Sequence, residues 1–163
     1  MRRTSLGDAI CPIARSLDEI GDWWTMLIVR DAFQGKRRFS EFQASLGLAK
    51  NILSTRLKTL VGNGILHKQP SPDGSPRGEY HLTEKGRRLR LVLIALREWG
   101  EDNLFADGEP MMLALDPQHR PIGRLQLLSE DGKRLEPEGI VVSRGRKGSG
   151  HATAAKTRPS RVK

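Results

Sequence analysis

Residues 40–82 read SEFQASLGLAKNILSTRLKTLVGNGILHKQPSPDGSPRGEYHL, and the order of signals along this stretch decides the fold. Ser40-Glu41-Phe42-Gln43 has the S-x-x-Q spacing of a capping box and predicts a helix start, with Gly47 keeping that helix short. A longer helix is expected from Ala49 to about Gly62, because Leu53, Leu57, Leu60 and Val61 recur at i, i+4, i+7 and i+8 as one apolar stripe. Asn63-Gly64 ends it, glycine suiting the left-handed position after a helix. Ile65 to Gln69 then reads as a strand. The run PSPDGSP at 70–76 is made of turn formers, and Glu79 to Leu82 reads as the returning strand, with Tyr80 and Leu82 on one face. A short helix, a glycine, a longer helix and a hairpin follow one another in the order of a winged helix-turn-helix.

The flanks complete that pattern. Upstream, Cys11-Pro12 opens a helical stretch in which Ile13, Leu17 and Ile20 recur at helical spacing until Gly21. Asp22 is placed to cap a second helix, Trp23 to about Phe33, whose broad apolar face (Trp23, Trp24, Leu27, Ile28, Phe33) predicts burial on several sides. Asp31 reads there as a surface charge, and Lys36-Arg37-Arg38 as a basic connector. Downstream, Thr83 is placed to cap one long helix reaching about Leu104, with Leu89, Val92, Leu93, Leu96 and Trp99 as its stripe. The expected class is mainly α with a small β-hairpin wing.

The helix over 49–62 carries the functional signal. With Leu53 at the centre of its buried face, Leu57 and Leu60 fall within about 40° of it. Asn51, Thr55 and Lys58 fall opposite, with Ser54 at the flank. A solvated helix face ordinarily mixes acids with bases, yet residues 49–62 contain no Asp or Glu. Asn, Ser and Thr can bond base edges, while Lys50, Arg56 and Lys58 can meet phosphates. Arg77, between Gly74 and Gly78, stands where a wing tip approaches the minor groove or its phosphates. Arg38 is a further phosphate candidate.

Composition limits the alternatives. The net charge of +9 is concentrated in residues 144–163, with seven basic and no acidic side chains, whereas residues 105–143 carry seven acids against four bases. The basic balance thus describes a tail, expected to be disordered, and the DNA reading rests on the middle of the chain. A single cysteine, Cys11, excludes an intramolecular disulfide, and four scattered histidines give no structural zinc pattern. The N-terminus has no secretory leader, and the apolar run from Leu89 to Leu96 is too short to cross a bilayer. With no phosphate loop and no nucleophile–base order, no enzyme activity, cofactor or metal is expected. A cytoplasmic setting is.

Several pieces, taken in order, resemble one family: Cys11-Pro12-Ile13, Ile20-Gly21-Asp22-Trp23-Trp24-Thr25, Arg38-Phe39-Ser40-Glu41-Phe42, Ile52 to Leu60 (ILSTRLKTL), Gly64-Ile65-Leu66 and Tyr80-His81-Leu82-Thr83-Glu84-Lys85-Gly86. The series is similar to the HxlR family of bacterial winged-helix regulators, within the MarR-like group, over roughly residues 10 to 104. The resemblance implies a transcription regulator, more commonly a repressor, binding pseudo-palindromic promoter DNA as a homodimer. It also implies that the first and last helices build the dimer interface. In this chain those positions are Ile13, Leu17, Leu93, Leu96 and Trp99. Some relatives sense oxidants or electrophiles through a cysteine at the Cys-Pro position, which makes Cys11 the redox-sensing candidate. The alternative reading of Cys11 is a small buried hydrophobe.

The expected organisation is a lead-in over 1–10, a DNA-binding and dimerisation domain over 11–104, a small β-rich appendage over 105–143 and the basic tail over 144–163. Strands are expected at Met111–Leu115, Gly123–Leu128 and Ile140–Val142. Two other functions compete. One is a winged-helix protein-interaction module, and the other a regulator switched by an unknown ligand at the dimer interface near Trp23, Trp24 and Trp99.

Overall fold

The computed structural model describes residues 5–74 and 76–145. The elements run α1 (Pro12–Ile20), α2 (Trp23–Phe33), α3 (Phe39–Leu46), α4 (Lys50–Gly62), β1 (Leu66–Gln69), β2 (Glu79–Leu82), α5 (Glu84–Arg87), α6 (Arg90–Leu104), β3 (Leu127–Leu128), β4 (Arg134–Leu135) and a 3-10 turn at Pro137–Gly139. The winged helix-turn-helix order read from the sequence is the order observed. The predicted basic tail lies outside the described residues beyond Gly145.

The core forms where the amphipathic faces of these elements meet. Ile28, Val29 and Ala32 of α2, Phe42 of α3, Leu53, Leu57 and Leu60 of α4, and Leu66 and Leu82 of the hairpin are buried together with Leu48 and Ile65. Burying each of these leucines contributes about 1.5–3 kcal/mol. The hairpin is antiparallel, pairing Leu66 with Leu82, His67 with His81, Lys68 with Tyr80 and Gln69 with Glu79. Alternation then sets Leu66 and Leu82 on the core side and the two histidines on the other. Gly86 is required by packing, since a Cβ there would collide with the Ile65 carbonyl.

Several expectations are corrected. Asp31 is not a surface charge: its side chain is fully buried, 2.8 Å from Arg30 Nη2 and 3.6 Å from Lys36 Nζ. Burying a carboxylate requires such partners, and the basic connector supplies one of them. Trp23, by contrast, is 73% exposed, so α2 is not buried all round. The short helix starts one residue before Ser40 and is capped by Glu41 rather than Gln43: Glu41 Oε2 accepts from the backbone N–H groups of Arg37 (2.7 Å) and Arg38 (2.8 Å). Those bonds hold the Glu41 carboxyl below its ordinary pKa, the Arg37 bond most of all. Val61 stands partly exposed, outside the α4 stripe.

The predicted long helix is two. Thr83 Oγ1 accepts from Gly86 N–H and donates to the Gly64 carbonyl, pinning the first turn to the root of the hairpin. The chain then tightens, with Leu89 N–H bonding the Gly86 carbonyl at 3.1 Å, before α6 begins.

By packing, the chain divides into units of residues 1–122 and 123–163, whereas the sequence reading draws its boundary at 104/105. In the first unit, residues 106–122 contain one bridge, Leu115 to Pro121, closing a turn in which Asp116 accepts from the N–H groups of Gln118 and Arg120. Of the second unit, the described part is the two-residue β3–β4 pair around a Ser129–Lys133 turn, followed by the 3-10 turn. Met111–Leu115 and Ile140–Val142 are not strands. The turn clusters between them leave ladders too short to propagate, and Val141 and Val142 remain exposed.

Candidate nucleic-acid interface

Helix α3, the turn at Gly47–Ala49 and α4 form the helix-turn-helix. Gly47 takes the left-handed conformation (φ 64°) that reverses the chain, and its N–H bonds the Gln43 carbonyl. Phe42 and Leu48 anchor the two sides of the turn in the core. Burial of Leu53, Leu57 and Leu60 then fixes the rotation of α4, which leaves Lys50, Asn51, Ser54, Thr55 and Lys58 exposed. Thr55 Oγ1 donates to the Asn51 carbonyl and Thr59 Oγ1 to the Thr55 carbonyl, so these hydroxyls sit against their own helix with lone pairs outward. Lys50 and Lys58 make no ion pair with any described residue. Ile52, 41% exposed beside Asn51, was not singled out from the sequence. Its signal is angular: it follows the outward-facing Asn51 and lies about 100° from Leu53.

The arginines divide by what they touch. Arg56 Nη1 lies 2.6 Å from Oδ2 of Asp22. The other oxygen of Asp22 caps α2 by accepting from Trp24 N–H (2.7 Å) and Thr25 N–H (3.3 Å). Arg56 thus ties α4 to the start of α2. Arg38 pairs with Asp73 (2.7 Å) and Glu79 (3.4 Å), joining the start of α3 to the wing. Arg77 is exposed on the wing loop. The Lys36-Arg37-Arg38 connector is engaged throughout: Lys36 faces Asp31, Arg37 donates to the Ala32 and Lys36 carbonyls, and Arg38 holds the wing.

A second exposed surface lies on α1 and α6. Ile13, Leu17, Leu96 and Trp99 are each half or more exposed, while Leu93 packs inward against the core. With α2 and residues 112–114, α1 and α6 line an apolar groove of about 950 Å³ that includes Leu17, Trp23, Leu27, Leu96 and Met112. An apolar surface of this kind on one chain ordinarily marks an interaction site. Cys11 is exposed as the N-cap of α1, between exposed Ile10 and Ile13, and is not the buried hydrophobe of the alternative reading. Arg15, one turn on, donates to the Ala9 carbonyl. Among the described residues no three His, Cys, Asp or Glu side chains are grouped to hold a metal, and no helix is long and apolar enough to cross a membrane.

The model of the HxlR-like helix-turn-helix family matches residues 19–107. The chain is 39% identical over 102 residues to the uncharacterized HTH-type transcriptional regulator Rv3095 of Mycobacterium tuberculosis, a match covering 62% of this chain and 65% of that one, just under two thirds of the relative's length. It is similar to the crystal structure of PA1607, described as a candidate transcription factor, at TM-score 0.82 and 51% identity, over 87% of this chain and all of that one. It is also similar to the redox regulator HypR in its reduced form, at TM-score 0.52 and 34% identity, over 57% of this chain and 93% of that one.

Proposed function

The chain belongs to the HxlR-like helix-turn-helix family, and we propose that it is a cytoplasmic, sequence-specific repressor that binds pseudo-palindromic promoter DNA as a homodimer. The observation that carries the reading is the outward face of α4, where polar and basic side chains stand exposed with no acid among residues 50–62. In this proposal α4 lies in the major groove. Asn51, Ser54 and Thr55 meet base edges, Ile52 a thymine methyl, and Lys50 and Lys58 the phosphates. Arg77 carries the wing to the adjacent minor groove or backbone. Arg56 and Arg38 act one step back, holding α4 and the wing in register through Asp22, Asp73 and Glu79.

Pairing through α1 and α6 supplies the second half-site, and the exposed Ile13, Leu17, Leu96 and Trp99 support it. Residues 11–104 do the reading and pairing, with residues 105–143 as an appendage. A redox response through Cys11 is supported by its exposure and by the likeness to a redox regulator. The step is oxidation of two Cys11 thiols, one from each copy, to a disulfide, with two electrons and two protons passing to an oxidant such as diamide.

The test is a gel shift of the full chain on its own upstream promoter DNA across a salt series, with and without diamide. Selective, salt-sensitive binding that diamide abolishes, and that Cys11→Ser makes resistant to diamide, is the expected result. Selective binding unaffected by diamide removes Cys11 from the mechanism. Folded protein with no sequence preference overturns the regulator reading in favour of a protein-interaction module.

A further inference from the structure

At the root of the wing, the hairpin, the end of α2 and the start of α6 line a pocket of about 430 Å³. Its apolar part is Phe33 and Leu82, and its polar wall is Arg37, Arg90, His67 and His81. The histidines are cross-strand partners whose rings stack at 5.7 Å and 25°. His81 Nε2 is already 3.2 Å from Glu79 Oε2 and 2.8 Å from Gln69 Nε2. Arg87 also reaches the pocket, but it is fully engaged, by Glu84 through Nε and Nη2 and by the Leu82 carbonyl through Nη1.

The two remaining arginines are not engaged in that way. Arg90 lies over the Phe33 ring, 4.1 Å from its centroid, and makes no ion pair with any described residue. Arg37 uses only Nη1, toward two carbonyls, and likewise has no carboxylate partner among the described residues. Two guanidinium groups thus line one concavity with donors left over, and the carboxylates beside it are held by other side chains, Glu79 by His81 and Glu84 by Arg87. The fork of an arginine matches a carboxylate. The volume falls within the range of small-molecule sites and exceeds what a bare inorganic anion would fill, and the apolar part offers a surface for the body of such a ligand.

We propose that this pocket binds a small carboxylate-bearing molecule, its carboxylate held between Arg37 and Arg90 and its apolar body against Phe33 and Leu82. The site is separate from α4 but shares Phe33 and Arg90 with the groove between α1 and α6, and the proposal stands whether or not the protein reads DNA.

The test is isothermal titration of benzoate into the full chain without DNA at fixed ionic strength, with benzamide and inorganic phosphate as comparators. Benzoate is expected to saturate at one per chain. Benzamide, which has the same shape without the charge, is expected to bind at least tenfold more weakly. Arg90→Gln and Arg37→Gln should each weaken benzoate about tenfold, Arg90→Lys less, and Arg88→Gln, a neighbour outside the pocket, not at all. Arg90 is exposed, so its variants are expected to melt like the parent, which keeps the test valid if loss of the Arg37 bonds disturbs folding. Absence of saturable benzoate binding by folded protein overturns the proposal. So does equal binding of benzamide, phosphate binding without benzoate binding, or indifference to Arg90→Gln. A uniform loss of duplex affinity in the arginine variants, with no benzoate binding, would assign the pocket to the DNA backbone instead.

Discussion

Helices α4 and α6 are of similar length, 13 and 15 residues, and opposite in what they leave outside. In α4 the apolar side chains Leu53, Leu57 and Leu60 are almost wholly buried, and the outer face is polar and basic. In α6 no residue is fully buried, and Leu91, Val92, Leu96, Trp99 and Leu104 stand in solvent. Helix α4 is complete within one chain and presents chemistry suited to a polyanion. Helix α6 is incomplete within one chain and presents what another protein surface would cover. The same contrast separates the roles we propose: reading for one helix, pairing for the other.

Substitutions can break or sharpen this contrast. The largest effect is expected inside α4. Leu57→Ala should destabilise the fold by about 2–5 kcal/mol in urea unfolding, because the cavity opens in the shared core. An effect near zero would mean that α4 is not built into the core. Next is Trp99→Glu on α6, which should weaken self-association by roughly 2–4 kcal/mol, read by sedimentation equilibrium. It should leave the far-ultraviolet circular dichroism unchanged, and unaltered association would move the interface elsewhere. Third is Asn51→Ala. It should cost about 1–3 kcal/mol on the preferred duplex and almost nothing on a scrambled one, by fluorescence anisotropy.

The smallest effect concerns the Glu41 cap at the start of α3. Glu41→Gln should destabilise by about 0.5–1 kcal/mol at neutral pH. The folded-state pKa of Glu41 is lowered by its backbone hydrogen bonds. Its contribution is therefore complete above the ordinary glutamate range and is lost as pH falls through the lower folded value. Urea midpoints of parent and variant should converge in acid, and a constant gap would contradict the cap.

The elements that repeat an apolar period were legible from the sequence. Leu53, Leu57 and Leu60 of the α4 stripe, the turn run between β1 and β2 and the N-cap of α2 at Asp22 stand where the residues placed them, and Val61 alone of the stripe does not. What the sequence hid depends on partners distant along the chain. Asp31 looks like a surface charge until Lys36 and Arg30 close on it, and the basic connector shows no partners in the sequence although each of its three side chains has one in the fold. The ion pairs of Arg56 and Arg38 were hidden in the same way, because their carboxylate partners Asp22 and Asp73 lie 34 and 35 residues away. The break at Arg88–Leu89 comes from the hold of Thr83 and Gly86 on the Gly64-Ile65 segment, which no local period records. The pocket at the wing root escaped for the same reason, since its arginines and histidines come from four separate segments.

The central claim is that the outward face of α4 reads DNA sequence. Its most direct test is the affinity of the parent, Asn51→Ala and Lys58→Ala for the selected duplex and its scrambled counterpart across a salt series. The account predicts that Asn51→Ala loses the preference while keeping the salt dependence, and that Lys58→Ala keeps the preference while the slope of log affinity against log salt falls by about one. A parent protein with no preference, or an Asn51→Ala protein that retains it in full, would contradict the account.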